Sequence, residues 1–134
     1  MGRWLAEQLV LGLARRCLAV AGTNVLVLGL TFKENCPDLR NTKVVDLIQG
    51  LERYAIDVDV VDPWIDPSDA LRKYGISVNT EVPVKGSYGA VVAAVAHGQF
   101  LKINSQHWRN FFKDNGVLLD LKRIIPRELD LLRI

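Results

Sequence analysis

Lys33 and Arg40 stand in one long polar loop, Gly29-Leu30-Thr31-Phe32-Lys33-Glu34-Asn35-Cys36-Pro37-Asp38-Leu39-Arg40-Asn41-Thr42-Lys43. An ammonium and a guanidinium so placed have an evident chemistry, the holding of an anion. Lysine brings a compact point charge, and arginine a planar fork that fits phosphate or carboxylate oxygens. The apolar run Val25-Leu26-Val27-Leu28 precedes the loop, and an amphipathic run over residues 44–51 follows it. Strand, polar loop, helix is how an open α/β sheet presents a ligand at the carboxyl ends of its strands.

Other candidate groups are weaker. Asp62 ends a second apolar run and invites a dinucleotide-binding reading, with the acid on a ribose. The glycine fingerprint that reading needs is missing: after Gly29 come Leu30, Thr31 and Phe32, so no second glycine lets the backbone approach a pyrophosphate. Asp62 precedes Pro63 and reads as a turn former, because an aspartate accepts bonds from nearby backbone amides. A phospho-acceptor role for Asp62 would need clustered acids for magnesium, and the sequence does not supply them. Cys17 and Cys36 have no metal or redox spacing. Cys17 reads as a core residue on an apolar helical face, and Cys36 as a structural thiol without a base to activate it. No metal site and no catalytic residue is expected.

The 134 residues fit one domain, with 49% hydrophobic and 24% charged residues. A net charge of +2 with scattered basic residues argues against a nucleic-acid binder. No apolar run has the roughly 18–20 residues a membrane span needs. Arg15 and Arg16 interrupt the apolar stretch that a signal peptide would keep clean. A cytoplasmic protein with reduced thiols, and without a membrane or nucleic-acid partner, is expected.

Around the loop, hydrophobic spacing predicts alternating elements. Leu5, Leu9, Leu13 and Cys17 recur at four-residue steps, predicting a helix over 3–21. Trp4, Leu11 and Leu18 give it more apolar girth than one buried face needs. Strands are expected at 25–30, 58–61, 76–78, 90–96 and 117–121, with helices at 44–51, 67–74 and 106–113. Asn41 or Thr42 would cap the first of these three helices, and Asp66-Pro67 starts the second, which Gly75 stops. This alternation predicts an α/β fold, a Rossmann-like three-layer sandwich with a mainly parallel sheet, preceded by one connecting helix.

The loop over 29–43 closely resembles the carboxyl-terminal domain of the UDP-glucose/GDP-mannose dehydrogenase family. Its Asn-Cys-Pro-Asp-Leu-Arg-Asn-Thr version is most similar to members that oxidise UDP-N-acetylhexosamines for bacterial polysaccharides. Asp62-Pro63-Trp64, Ala94-Val95-Ala96-His97 with Phe100, and Leu119-Asp120-Leu121-Lys122 also resemble that family. The resemblance implies a three-part enzyme: an amino-terminal domain that binds NAD, a helical middle with the dimer interface, and a carboxyl-terminal domain that binds UDP. Residues 1–22 then resemble the end of the connecting helix, through which a homodimer is expected, and residues 23–134 the UDP-sugar-binding domain. Excised domain and truncated reading frame both fit this reading.

The implied reaction takes a sugar C6 alcohol to a carboxylate in two NAD-dependent oxidations, through a cysteine in a Cys-Phe-Pro-Lys-Asp motif that this sequence lacks. The isolated domain is therefore expected to be inactive. The resemblance places Phe32 and Lys33 against the UDP-sugar, Lys122 or Arg123 against its phosphates, and Arg40 toward the cofactor. A salt bridge from Arg40 to Asp38 or Glu34 is the structural alternative. His97 falls at the same strand edge, where a capping or turn role is expected. Tyr88-Gly89-Ala90 departs from the family's usual Tyr-Asp-Ala. The competing reading is a non-catalytic nucleotide-binding or partner-docking module of the same fold.

Overall fold

Short runs of branched apolar residues form the sheet here, and longer amphipathic runs form the helices. The computed structural model describes residues 2–40, 42–127, 129 and 132–133. In chain order the elements are α1 (Gly2–Arg15), β1 (Asn24–Leu28), α2 (Thr42–Glu52), β2 (Asp57–Val61), α3 (Pro67–Tyr74) and β3 (Val78–Asn79). Then come β4 (Tyr88–Ala93), α4 (Gly98–Leu101), α5 (Ser105–Asn110), β5 (Phe112–Asp120) and β6 (Leu132–Arg133). The sheet runs β3-β2-β1-β4-β5-β6, and every pairing is parallel. Strand order reverses between β1 and β4, which creates a crevice above their carboxyl ends.

Val25, Leu26, Val27 and Leu28 of β1 are fully buried, as a strand covered on both faces requires. Val25 and Val27 face one core with Leu9 and Leu13 of α1 and Ile48 and Leu51 of α2. Leu26 and Leu28 face the other, with Phe100, Trp108 and Phe111. Burying each such side chain stabilises the fold by about 1.5–3 kcal/mol, so the sheet's centre is rigid and its loops inherit fixed anchor points.

The first strand stops two residues earlier than its apolar run. Gly29 takes φ 103° and donates its N–H to Val61 O (2.8 Å), and the chain then turns upward. The β4 strand ends at Ala93 rather than Ala96, because the N–H groups of Ala94 and Val95 converge on Leu28 O (2.9 and 3.3 Å). Helix α5 is shorter than its pattern, and β5 begins at Phe112, which pairs with Tyr88 before an irregularity in register. Asp66 caps α3 through Ser68 N, and Gly75 ends it at φ 69°. Thr42 is the first residue of α2, and Asn41 lies outside the described residues.

Helix α1 ends at Arg15, not near residue 21, and Cys17 is exposed rather than in the core. The stop is a Schellman turn without glycine. Leu18 N–H donates to Leu13 O (2.9 Å), Cys17 N–H to Ala14 O (3.0 Å), and Cys17 itself takes φ 59°. A cysteine in the left-handed position carries no signal in a sequence. Much of the helix's apolar surface is covered within the chain: α1 lies close on α2, and a Cβ added at Gly50 would stand 2.9 Å from Ala6 Cβ. Trp4 and Leu11 remain at least half-exposed on its outer side.

Candidate functional site

The site is built on three loops that rise from β2, β1 and β4, neighbours in the sheet. At its base lies a buried polar knot. Asp62, at the end of β2, is fully buried, and its Oδ2 accepts the N–H groups of Leu30 (2.8 Å) and Thr31 (3.0 Å) from the β1 loop. Its Oδ1 accepts Trp64 N–H (2.8 Å), the turn contact expected of an Asp-Pro step. His97, after β4, is equally buried and places Nε2 3.0 Å from Asp62 Oδ2 and 2.9 Å from Thr31 Oγ1. Asn35 N–H donates to His97 Nδ1 (2.9 Å), so in the neutral ring the proton lies on Nε2 and points at the carboxylate. Asn35, at φ 55°, also accepts Gly98 N–H through Oδ1 (2.9 Å).

Burial alone would raise the Asp62 carboxyl. The bonds from His97, Leu30 N–H and Trp64 N–H outweigh it and hold the group below the usual carboxylate range. Its contribution to stability is therefore complete above pH about 4, the ordinary unfolded value. That contribution disappears as pH falls through the lowered folded-state value. Urea denaturation at pH 7 and pH 3 should accordingly show a smaller acid loss for Asp62→Asn than for the unsubstituted chain. Equal losses in the two proteins would contradict this.

Above the knot, Phe32 is 57% exposed, and Lys33 and Glu34 beside it are exposed too. Thr31 Oγ1 donates to Lys33 O (3.2 Å), and Phe32 N–H to Asp38 O (2.7 Å). Arg40 forks onto Asp38 through Nε (3.0 Å to each oxygen) and Nη2 (2.7 Å), and its guanidinium lies 6.0 Å from the Phe32 ring centroid. The salt bridge of the structural alternative is thus present, and its arginine side chain is still 75% exposed. The Tyr74 hydroxyl donates to Leu39 O and ties the end of the loop to α3.

Lys122 and Arg123 are exposed on the turn after β5, where Arg123 takes φ 56°. Asp120 shapes that turn by accepting Ile124 N–H at Oδ1 (3.0 Å) and Ile125 N–H at Oδ2 (2.9 Å). Arg133 braces it by donating Nη2 to Ile125 O (3.1 Å) and Pro126 O (2.6 Å). Asp120, Arg123, Arg127 and Arg133 line a cleft of roughly 530 Å³. The structure therefore brings Phe32 to Arg40, and Arg123 to Arg127 and Arg133, as two separate groups. Leu28, Ala93 and Asp120 are in register, so both groups sit on one sheet edge. One strand, β4, lies between β1 and β5, whose axes are therefore about 10 Å apart.

A model of the UDP-glucose/GDP-mannose dehydrogenase family, UDP binding domain, matches residues 26–127. The chain belongs to this family. The matched region contains the loop from Phe32 to Arg40, the knot beneath it, and Arg123 and Arg127, but not Arg133. The chain is 44% identical over 128 residues to a UDP-N-acetyl-D-glucosamine 6-dehydrogenase of Salmonella typhi, covering 96% of this chain and 30% of that protein. It is 45% identical to a protein of the same name in Pseudomonas aeruginosa, covering 100% of this chain and 32% of that one. The chain thus spans about a third of the length of these relatives. A solved structure of an NDP-N-acetyl-D-galactosaminuronic acid dehydrogenase from Methanosarcina mazei superposes with TM-score 0.78 at 21% identity, over 92% of this chain and 26% of that one. That likeness concerns the fold. Among the described residues no helix is long and apolar enough to cross a membrane.

For this UDP-binding domain, sequence reasoning found the exposed basic residues and missed what holds them. Asp62 reads as a turn former and is one, but it also carries the neighbouring loop. His97 precedes α4 and makes no side-chain cap bond; its ring is spent on Asp62 and the β1 loop. Arg127 and Arg133 carried no signal, since a tail arginine gives no hint of the strand that returns it to the cleft.

Proposed function

We propose that this chain is the UDP-sugar-binding part of an NAD-dependent nucleotide-sugar 6-dehydrogenase, which oxidises a sugar C6 alcohol to a carboxylate in the cytoplasm. The observation that carries this reading is the 44% identity to a UDP-N-acetyl-D-glucosamine 6-dehydrogenase along nearly the whole of this chain. A UDP-N-acetylhexosamine is accordingly the substrate class.

In this reading Phe32 offers an exposed ring and Lys33 an ammonium to the nucleotide-sugar, while Lys122 and Arg123 meet the diphosphate from the β5 side. Guanidinium and ammonium donors at a strand's carboxyl edge offset the ligand's charge where little else does. NAD, when bound, accepts the hydrides; its main contacts belong to a domain outside this chain. Arg40 fits a contact with it, since its guanidinium remains largely exposed while it holds Asp38. Residues 1–22, with Trp4 and Leu11 outward, would join this domain to the rest of the enzyme and to a second subunit.

Calorimetric titration tests the reading. UDP should bind the unsubstituted chain weakly, because a facing domain supplies the other half of the pocket. Lys33→Ala should weaken that binding about tenfold, the loss of one charge-assisted contact. Heat of dilution alone at millimolar UDP would overturn the reading.

A further inference from the structure

The residues that would touch the ligand are not the ones that shape the loop. Phe32, Lys33 and Glu34 are exposed, yet Thr31 on one side and Asn35 on the other are both tied down. Both ties lead to a single buried pair. Asp62 takes the N–H groups of Leu30 and Thr31, and His97 takes Asn35 N–H at Nδ1. The pair joins the ends of β2 and β4 across the top of β1, so the β1 loop lies over it. Hydrophobic stability does not call for this arrangement. A buried carboxylate–imidazole pair costs desolvation that an apolar pair of similar volume avoids, so net stability is a weak reason for it to stand here.

We propose that Asp62 and His97 are positioning residues of the nucleotide-sugar site, holding Phe32, Lys33 and Glu34 as a short bridge whose height is set from below. This rests on the reading that the loop binds UDP-sugar. His97 faces Asp62 from the end of β2, Thr31 and Asn35 from the β1 loop, and the rings of Trp64 and Phe100 at 6.2 and 5.4 Å between centroids. The two ring nitrogens have separable duties: Nε2 serves the carboxylate, and Nδ1 serves the loop.

Two substitutions divide those duties. In His97→Asn the amide oxygen replaces Nδ1 as acceptor for Asn35 N–H, and the bond to Asp62 is lost. In His97→Gln the longer amide nitrogen replaces Nε2 as donor to Asp62, and Asn35 N–H loses its acceptor. A purely structural role makes His97→Asn the worse variant in both thermal stability and ligand binding, because it strips a donor from a buried carboxylate. Positioning reverses the order for the ligand. His97→Gln should bind UDP about tenfold more weakly than His97→Asn, the effect of releasing one hydrogen-bonded anchor, while its Tm is equal or higher. Amide hydrogen exchange, read without ligand, should show Asn35 deprotected in His97→Gln and protected in His97→Asn.

UDP affinities that fall in the same order as Tm, or variants that bind like the unsubstituted chain, would overturn the positioning role alone. Equal Asn35 protection in the two variants would overturn it as well. Failure of the unsubstituted chain to bind UDP would overturn the site reading and the proposal with it.

Discussion

Asp62→Ala is expected to cost the fold about 3–5 kcal/mol, more than the roughly 1.5–3 kcal/mol of a single hydrogen bond to a charged group and less than the sum of all four that the carboxylate accepts. The carboxylate accepts three backbone N–H groups and the His97 ring, all at 2.8–3.0 Å, and alanine replaces none of these bonds. Counted singly, four orphaned donors at about 1–3 kcal/mol each would exceed the whole stability of many domains. The loop escapes that sum by lifting and letting water reach Leu30 and Thr31. The predicted outcome is thus a folded but weakened protein with fast amide exchange over residues 30–35. Urea denaturation reads the loss directly, and a change under about 1 kcal/mol would show that the carboxylate is not the loop's anchor.

Gly29→Ala is expected to cost roughly 2–4 kcal/mol, the sum of a left-handed backbone penalty and forced overpacking. Gly29 has φ 103°, and a Cβ there would stand 2.6 Å from Val95 Cβ and 2.9 Å from Val95 N. The second contact is with backbone, so no rotamer change relieves it. Val95 belongs to the segment that leads to His97, so the collision would push the β4 loop away from the β1 loop. Thermal denaturation should show a lowered midpoint. An unchanged midpoint would mean that the two loops are not closely packed at Gly29.

The strands and helices that make the scaffold were legible because their signals are local. Apolar runs, an Asp-Pro cap and the Gly75 stop fall where the structure uses them. The end of α1 was not legible, because Cys17 fills a left-handed position that glycine ordinarily announces. The exposed basic residues were legible from type and loop position. The knot beneath them was not. Its bonds join residues 35 and 66 positions apart, and each member has an adequate local explanation as turn former or cap. Arg133 was hidden for the same reason, since only the parallel pairing of β5 with β6 returns it toward Asp120.

In the proposed site the loops after β1 and β5 would form one binding edge for a uridine diphosphate. The measurement that tests it most directly is a UDP titration followed by backbone amide chemical shifts. Saturable shifts are expected at Phe32 and Lys33 and, at the same ligand concentrations, at Lys122 and Arg123, with β3 and the outer face of α1 unmoved. Shifts confined to one of the two loops, or clustered away from the carboxyl edge of the sheet, would contradict it.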